Sequence, residues 1–547
     1  VKIDLNPAVD GTGSNPRGFG VLSTDAAVPG FPAGPMVATG GWTYFTAETL
    51  AAGRELWRTD GTAAGTAQVL DLRPGSGGAF AEGAGALGYQ LGAPLGDRLL
   101  FVADDGIHGA ELWSTQGAAA STALVADLVP GSGDPQLVDL AADGTRCFLV
   151  GQDAGGAALW VTDGTGGGTA QVFGPAVGTT ASGISNLVVA GDGRGAFFTA
   201  ANTTTPGWPP VLDLWWTDGT AAGTQLLLQD TGQVESSTWF AGRLYFGGRS
   251  AVHGWEPHVS DGTPGGTGLL ADLAPGPESS SPRFVAEGAL GGELYFQARR
   301  PGEGAELWVT DGTPAGTTLV SDLVAGPLGS EPVPLGVAGG RLILAAGSAS
   351  STAPAPFDVG NELYALDRNG PVLLGDFGAS TTYHGPFEPS GFPTMPVQLQ
   401  DKVAVLVRPV DAEYTGWHLL VTDGTVAGTE LLDALQVGSD TMDLDHVGSL
   451  TADGQGGLLF AGHGSSIGSE LLRTDGTAAG TGLVADLEPH VTPIGSAPRL
   501  LGVAGTEDVF LRGGSGAVVG QLVTWSIDEG LQTLTSGAGE GGRSGGS

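Results

Sequence analysis

The chain has 547 residues, of which 41% are hydrophobic, 14% are charged and 98 are glycine, and its 21 Lys and Arg against 58 Asp and Glu give a formal charge of −37. That field repels nucleic-acid phosphates and anionic membranes and leaves cations and neutral ligands as partners. No run approaches the roughly 18 to 20 apolar residues of a membrane-spanning helix, and the lone Cys147 excludes an intrachain disulfide framework and reads as core filler.

The opening stretch "VKIDLNP" at 1–7 matches the close of later units, such as "LVADLVP", and is expected to pair with the last unit as a closing strand. It carries no charged and then apolar leader, so the expectation is that any export signal has been removed or was never there. From there the chain repeats itself at a period of roughly fifty residues. The units run approximately over 8–72, 73–130, 131–173, 174–230, 231–275, 276–326, 327–378, 379–436, 437–490 and 491–536, followed by a Gly/Ser-rich tail at 537–547 that reads as a linker.

Each unit holds a short phrase, seen as "ELWRTDGTAAGT" at 55–66 and "ELWVTDGTPAGT" at 306–317. Its Asp-Gly pair falls at Asp60, Asp163, Asp218, Asp261, Asp311, Asp423 and Asp475, with degraded copies centred on Gln116, Asp367 and Asp528. Around the phrase the same apolar runs return in order, as in "PRFVAEGAL", "GGELYFQA", "AELWVTDGT" and "AGTTLVSDLVAG" at 282–326. Short runs rich in Val, Leu, Tyr, Phe and Trp and bounded by Gly, Pro or Asp are strands, and Gly-Gly, Asp-Gly and Gly-Asp pairs between the first two close hairpins. Four antiparallel strands per unit make a propeller blade. The expected fold is therefore all-β, a β-propeller of about ten four-stranded blades in one ring, with two five-bladed propellers as the alternative.

The copies "ELWRTDGTAAGT", "LWVTDGTGGGT", "LWWTDGTAAGT", "ELWVTDGTPAGT" and "ELLRTDGTAAGT" resemble the bacterial ELWxxDGT repeat family, best represented in myxobacteria, over essentially the whole chain. The resemblance implies a secreted or cell-surface repeat protein of propeller type and brings no established activity.

Alternation along "E-L-W-x-T" places Glu, Trp and Thr on one face and Leu on the other. The Trp ring, at Trp57, Trp113, Trp160, Trp215, Trp308 and Trp525, is expected to fill the contact between blades. In "DGTxxGT", Asp accepts backbone amides, Gly takes a left-handed conformation and the Thr hydroxyls close the loop. A self-satisfied turn is the expectation, and a divalent-ion loop is the alternative. In that alternative Asp60, Asp163, Asp218, Asp261, Asp311, Asp423 and Asp475 hold metal, with calcium the ion. No cofactor is required by the sequence. A second acidic position recurs at Glu55, Glu111, Asp213, Glu256, Glu306, Glu362 and Glu470, expected as a structural acidic ring whose members either bond backbone amides or gather cations. A third, "DL" near each unit's end, reads as a turn former.

Chemical motifs are sparse. No His pair has zinc-site spacing, and "GSSIG" at 464–468 and "GAGALG" at 83–88 lack the strand-to-helix context that nucleophile-elbow and dinucleotide motifs need. His108 and His253, each before Gly, read as loop residues. Where repeats make scaffold, departures make sites. The breaks at 201–213, 348–361 and 380–396 offer Trp208, Tyr383, His384, Phe387 and Phe392 as binding residues for a glycan or protein partner. The functional expectation is an extracellular or cell-surface binding or assembly scaffold that is not catalytic. Its alternatives are a carbohydrate-active enzyme with carboxylates in a central channel and a purely structural part of a surface assembly.

Overall fold

A computed structural model describes residues 37–49, 52–60, 65–80, 92–178, 183–201, 212–232, 234, 236–250, 252–327, 329–347, 361–367, 370–375, 396–407, 418–432, 436–437, 440–443, 451–452, 456–464, 468–485, 499–504, 507–512, 521–526 and 530–533. The "VKIDLNP" stretch and the tail lie outside these.

The described residues form ten antiparallel sheets, nine of them with four strands. The first is Val37–Thr39, Trp42–Thr49, Gly53–Thr59 and Ala67–Leu70; the second Gly92–Leu95, Arg98–Asp104, Ala110–Thr115 and Ala123–Ala126; the third Asp139–Ala142, Cys147–Asp153, Gly156–Thr162 and Ala170–Phe173. The fourth is Ile184–Val189, Ala196–Ala201, Leu212–Thr217 and Gln225–Leu228; the fifth Ser237–Phe240, Arg243–Ser250, Gly254–Ser260 and Gly268–Leu269; the sixth Ala289–Leu290, Glu293–Arg300, Gly304–Thr310 and Thr318–Ser321. The seventh is Val333–Ala338, Arg341–Gly347, Asn361–Asp367 and Gly370–Gly375, and the eighth Val397–Leu399, Lys402–Val407, His418–Thr422 and Thr429–Leu432. The ninth gathers short strands between Gln436 and Ala485, and the tenth is Arg499–Ala504, Glu507–Arg512, Gln521–Ser526 and Gly530–Thr533. In every four-stranded sheet the strands pair in chain order, as hairpins dictate. Helix among the described residues is limited to 3-10 turns of three residues, and none is long and apolar enough to cross a membrane.

One irregularity recurs that the sequence pattern does not announce. The ladder between third and fourth strands shifts at Leu56/Trp57, Leu112/Trp113, Leu159/Trp160, Leu214/Trp215, Leu307/Trp308 and Leu363/Tyr364. An extra residue there bends the strand and sharpens its twist, which suits a sheet covered on both faces.

The chain divides into two compact units, one of residues 1–176, 463–472 and 483–547, the other of 177–462 and 473–482. In the first unit the first sheet lies against the second, the second against the third, and the tenth against the first. In the second unit the fourth to eighth sheets follow one another face to face. The alternation within "E-L-W" explains how. Leu56 of the first sheet clusters with Trp113 of the second, and Leu112 of the second with Trp160 of the third. Trp308 packs back onto Tyr245 of the fifth sheet and onto Leu270 and Leu273 of the segment leaving it, while Leu307 packs forward onto Leu342 and Leu344 of the seventh. Leu and Trp thus point to opposite neighbours. Two of the rings also donate a hydrogen bond, Trp113 Nε1 to Ala103 O and Trp308 Nε1 to Ala298 O, both at 3.1 Å. Cys147 is fully buried among Leu100, Leu149 and Trp160, and burial pushes its thiol up out of the reactive range.

Candidate functional site

The recurring acids are the natural place to look for chemistry, and the geometry accounts for them loop by loop. In "T-D-G-T-x-x-G-T" the Asp311 Oδ1 accepts the Thr313 amide at 2.9 Å and its hydroxyl at 2.7 Å. The hydroxyls of Thr310 and Thr317 lie 2.8 Å apart, and the Gly312 amide donates to Thr310 Oγ1. The same bonds recur at Asp163, Asp261, Asp423 and Asp475, and at Asp218. The Thr hydroxyl and then its amide hold Asp163, Asp311, Asp423, Asp261 and Asp475 below the usual carboxylate range. Gly312 has a φ of 87°, and its equivalents share that left-handed conformation.

The second glycine of the phrase has a different reason. A Cβ on Gly65, Gly168, Gly223, Gly266, Gly316, Gly428 or Gly480 would overlap the carboxylate of the Asp in its own loop. The exception in the second sheet supports this cause: Gln116 replaces Asp, and Ser121 then stands where Gly does elsewhere. The Ser121 hydroxyl takes over the loop, accepting from the Gln116 and Ala118 amides at 3.3 and 3.2 Å. Gly316→Ser is therefore expected to lower the free energy of unfolding by about 1–3 kcal/mol. Adding Asp311→Gln and Thr313→Ala, which copies the second sheet, is expected to restore most of that loss. Urea titration of both variants checks this, and equal losses would show that the carboxylate does not set the glycine.

The third-strand acids are buried and fixed by the segment that leaves their own sheet. Glu55 accepts the amides of Leu72, Arg73 and Ala79 at 3.1, 3.3 and 3.0 Å. Glu256 accepts those of Leu273, Ala274 and Ser280 and the Ser280 hydroxyl. Glu306 accepts from the Leu323 and Ser330 amides and the Ser330 hydroxyl, and Asp213 from the Asp230 amide. Glu111 accepts from Leu128 and Val129. The position matching Ser330 is there Pro135, which has no N–H to give. The carbonyl of the same linker residue then receives the next sheet's second strand: Asp104 N to Ala79 O, Gln152 N to Pro135 O, Arg299 N to Ser280 O and Gly347 N to Ser330 O. A buried carboxylate, one linker residue and the following sheet are thus joined in series. Burial pushes Glu55 and Glu111 up to about 7, against the downward pull of the backbone amides. Glu362 is buried on its strand, and Glu470 lies on the strand Gly468–Thr474.

A further recurrence escaped the sequence reading. A basic residue at the start of the second strand reaches the turn glycine of the next sheet's loop. Arg98 donates to Gly164 O at 3.4 Å, Arg243 to Gly312 O at 3.0 Å, Arg341 to Gly424 O at 2.5 Å and Lys402 to Gly476 O at 3.2 Å. Where Trp42 takes this position, Arg58 stacks on its ring at 3.7 Å, and the loop facing it is the altered one at Gln116. The signal was legible in four sheets as Arg or Lys directly after the hairpin turn, at Arg98, Arg243, Arg341 and Lys402.

The aspartates of the loops are not brought together: each is bound within its own turn. Among the described residues no group of three or more His, Cys, Asp or Glu stands together to hold a metal ion. His108 pairs with Asp105 at 2.7 Å, which raises its pKa, and His253 with Asp272 at 3.0 Å. Trp208, Tyr383, His384, Phe387, Phe392, Ser466 and the glycines of 83–88 lie outside the described residues.

No protein-family model and no curated protein matches the chain. Similar solved structures include a prolyl endopeptidase at 15% identity, covering 68% of this chain and 54% of that one with a TM-score of 0.32. A puromycin-hydrolyzing peptidase of Mycobacterium tuberculosis is 18% identical, covering 69% and 57% with a TM-score of 0.31. The β-propeller domain of the Trilobed protease from Pyrococcus furiosus is 14% identical, covering 74% and 99% with a TM-score of 0.30. The chain spans little more than half the length of the first two. No residue role is carried from them to this chain. They do correct the functional expectation: the solved structures similar to this chain include peptidases and a puromycin hydrolase. The expected non-catalytic surface scaffold, the carbohydrate-active enzyme and the structural surface component are withdrawn.

Proposed function

We propose that this chain is a β-propeller of about ten blades in one ring, of the ELWxxDGT repeat type, and that it handles polypeptide substrate for a peptidase-class hydrolase. The single-ring reading is supported by the face-to-face succession of sheets within each unit and by the tenth sheet lying against the first. The observation that carries the substrate class is the set of loop aspartates. They recur at the same end of successive sheets and belong to a chain of net charge −37, and Asp163, Asp261, Asp311, Asp423 and Asp475 are held ionised by their own threonines. Fixed anions repeated in this way raise the local concentration of cationic, extended polypeptide and repel acidic chains.

The test is fluorescence anisotropy with labelled extended peptides of equal length, one rich in Lys and Arg and one rich in Asp and Glu. The basic peptide is expected to bind at low salt and to weaken about tenfold or more once the Debye length is cut to about 8 Å; the acidic one is expected not to bind. Absence of binding by either, or binding without charge preference, overturns the reading.

A further inference from the structure

We infer that the fourth strand of the seventh sheet, Gly370–Gly375, is a docking edge that receives an extended stretch of polypeptide as an added strand; this rests on the polypeptide-handling reading above. Among the described residues the strand pairs with Asn361–Asp367 alone and is the edge of its sheet. Alternate residues of an edge strand turn their N–H and C=O groups away from the partner, ready for another chain. Its six residues make it longer than the fourth strand of any other four-stranded sheet among the described residues, where the length is four or two.

Its chemistry is unlike that of a protected edge. Exposed edges are normally blunted by charge, and "GPVLLG" has none, with Pro371 only at its beginning. Val372 and Leu373 are 42% and 43% exposed, while Leu374 beside them is 3% exposed and anchors the strand to the core. Leu269 is the other large fourth-strand hydrophobic on the exposed side among the described residues. Val372 and Leu373 are adjacent, so they stand on opposite faces of the pleat. An incoming strand meets an aliphatic side chain on both faces, and the edge therefore selects consecutive β-branched or aliphatic residues rather than an alternating polar pattern.

Charge decides between the two occupants an open edge could take. A second copy of this chain brings another −37 charges and is repelled, whereas a segment with Lys or Arg beside its apolar residues is attracted. The occupant is an extended, basic-flanked apolar segment of substrate polypeptide.

The probe is labelled Lys-Thr-Val-Ile-Val-Thr-Lys, titrated against the full chain and against the double variant Val372→Asn, Leu373→Asn. Both side chains are exposed, and an unchanged melting temperature will confirm that the variant is folded. The expected result is binding that weakens about tenfold in the variant, with backbone amide exchange slowed at 370–375 only when the probe is bound to the native chain. Unchanged affinity in the variant overturns the docking edge and leaves the polypeptide-handling reading standing. Failure of any peptide to bind the native chain takes down both. Sedimentation showing a native dimer that the variant abolishes, without probe binding, overturns the edge as a substrate site in favour of a second copy.

Discussion

Glu306→Ala is expected to lower the free energy of unfolding by about 3–5 kcal/mol, because it strands buried donors at the joint between two sheets. The side chain is 1% exposed and accepts from the amides of Leu323 and Ser330 and from the Ser330 hydroxyl. Water cannot replace it without opening the linker, and the linker also receives the Gly347 amide of the next sheet at Ser330 O. Glu306→Gln keeps one acceptor oxygen and is expected to cost about 1–2 kcal/mol. Urea titration of the two variants checks the order. A loss in the Ala variant below about 1 kcal/mol would mean that the carboxylate is not what fastens the linker.

Trp308→Ala is the second large effect, about 3–5 kcal/mol. The ring is 5% exposed, packs against Tyr245, Leu270, Leu273 and Phe296, and donates to Ala298 O. Its removal leaves a cavity between sheets whose shape is fixed on both sides, so little collapse is available. Trp215, at the equivalent place in the fourth sheet, is half-buried and stacks on Phe198 at 6.4 Å. There the adjacent Trp216 fills the contact with the fifth sheet. Trp215→Ala is accordingly expected to cost about 1–2 kcal/mol, and thermal or urea unfolding of the pair decides. Equal losses would remove the distinction between an inter-sheet wedge and a surface ring.

Much of this architecture was legible because it is local and repeated. Period-two alternation in "ELWVT", glycine pairs at hairpins and the return of "DGTxxGT" specify strands and turns without reference to the rest of the chain. The loop aspartates were readable for the same reason, since Asp311 and Thr313 are two residues apart. The linker contacts were less so. Glu306 meets Ser330 across 24 residues, and nothing in "SDLVAGPLGSE" announces that its amides turn back onto the third strand. The reach of Arg243 to Gly312 spans 69 residues and depends on sheet stacking, which no single repeat encodes. The functional expectation rested on the aromatic breaks at Trp208 and 383–392, which lie outside the described residues. The exposed edge at Val372 and Leu373 sits in a strand that looks like any other apolar run until its burial is known.

The central claim is that the repeated phrase is a fastening device whose third-strand acid is bound inside the fold. Native-state hydrogen exchange at the amides of Leu72, Leu128, Leu273 and Leu323 tests it most directly, since each donates to the third-strand glutamate of its own sheet. The account predicts exchange as slow as in the strand interiors at all four, with Glu306→Ala accelerating Leu323 and leaving Leu72 and Leu128 unchanged. Fast exchange at these amides in the native chain would contradict it.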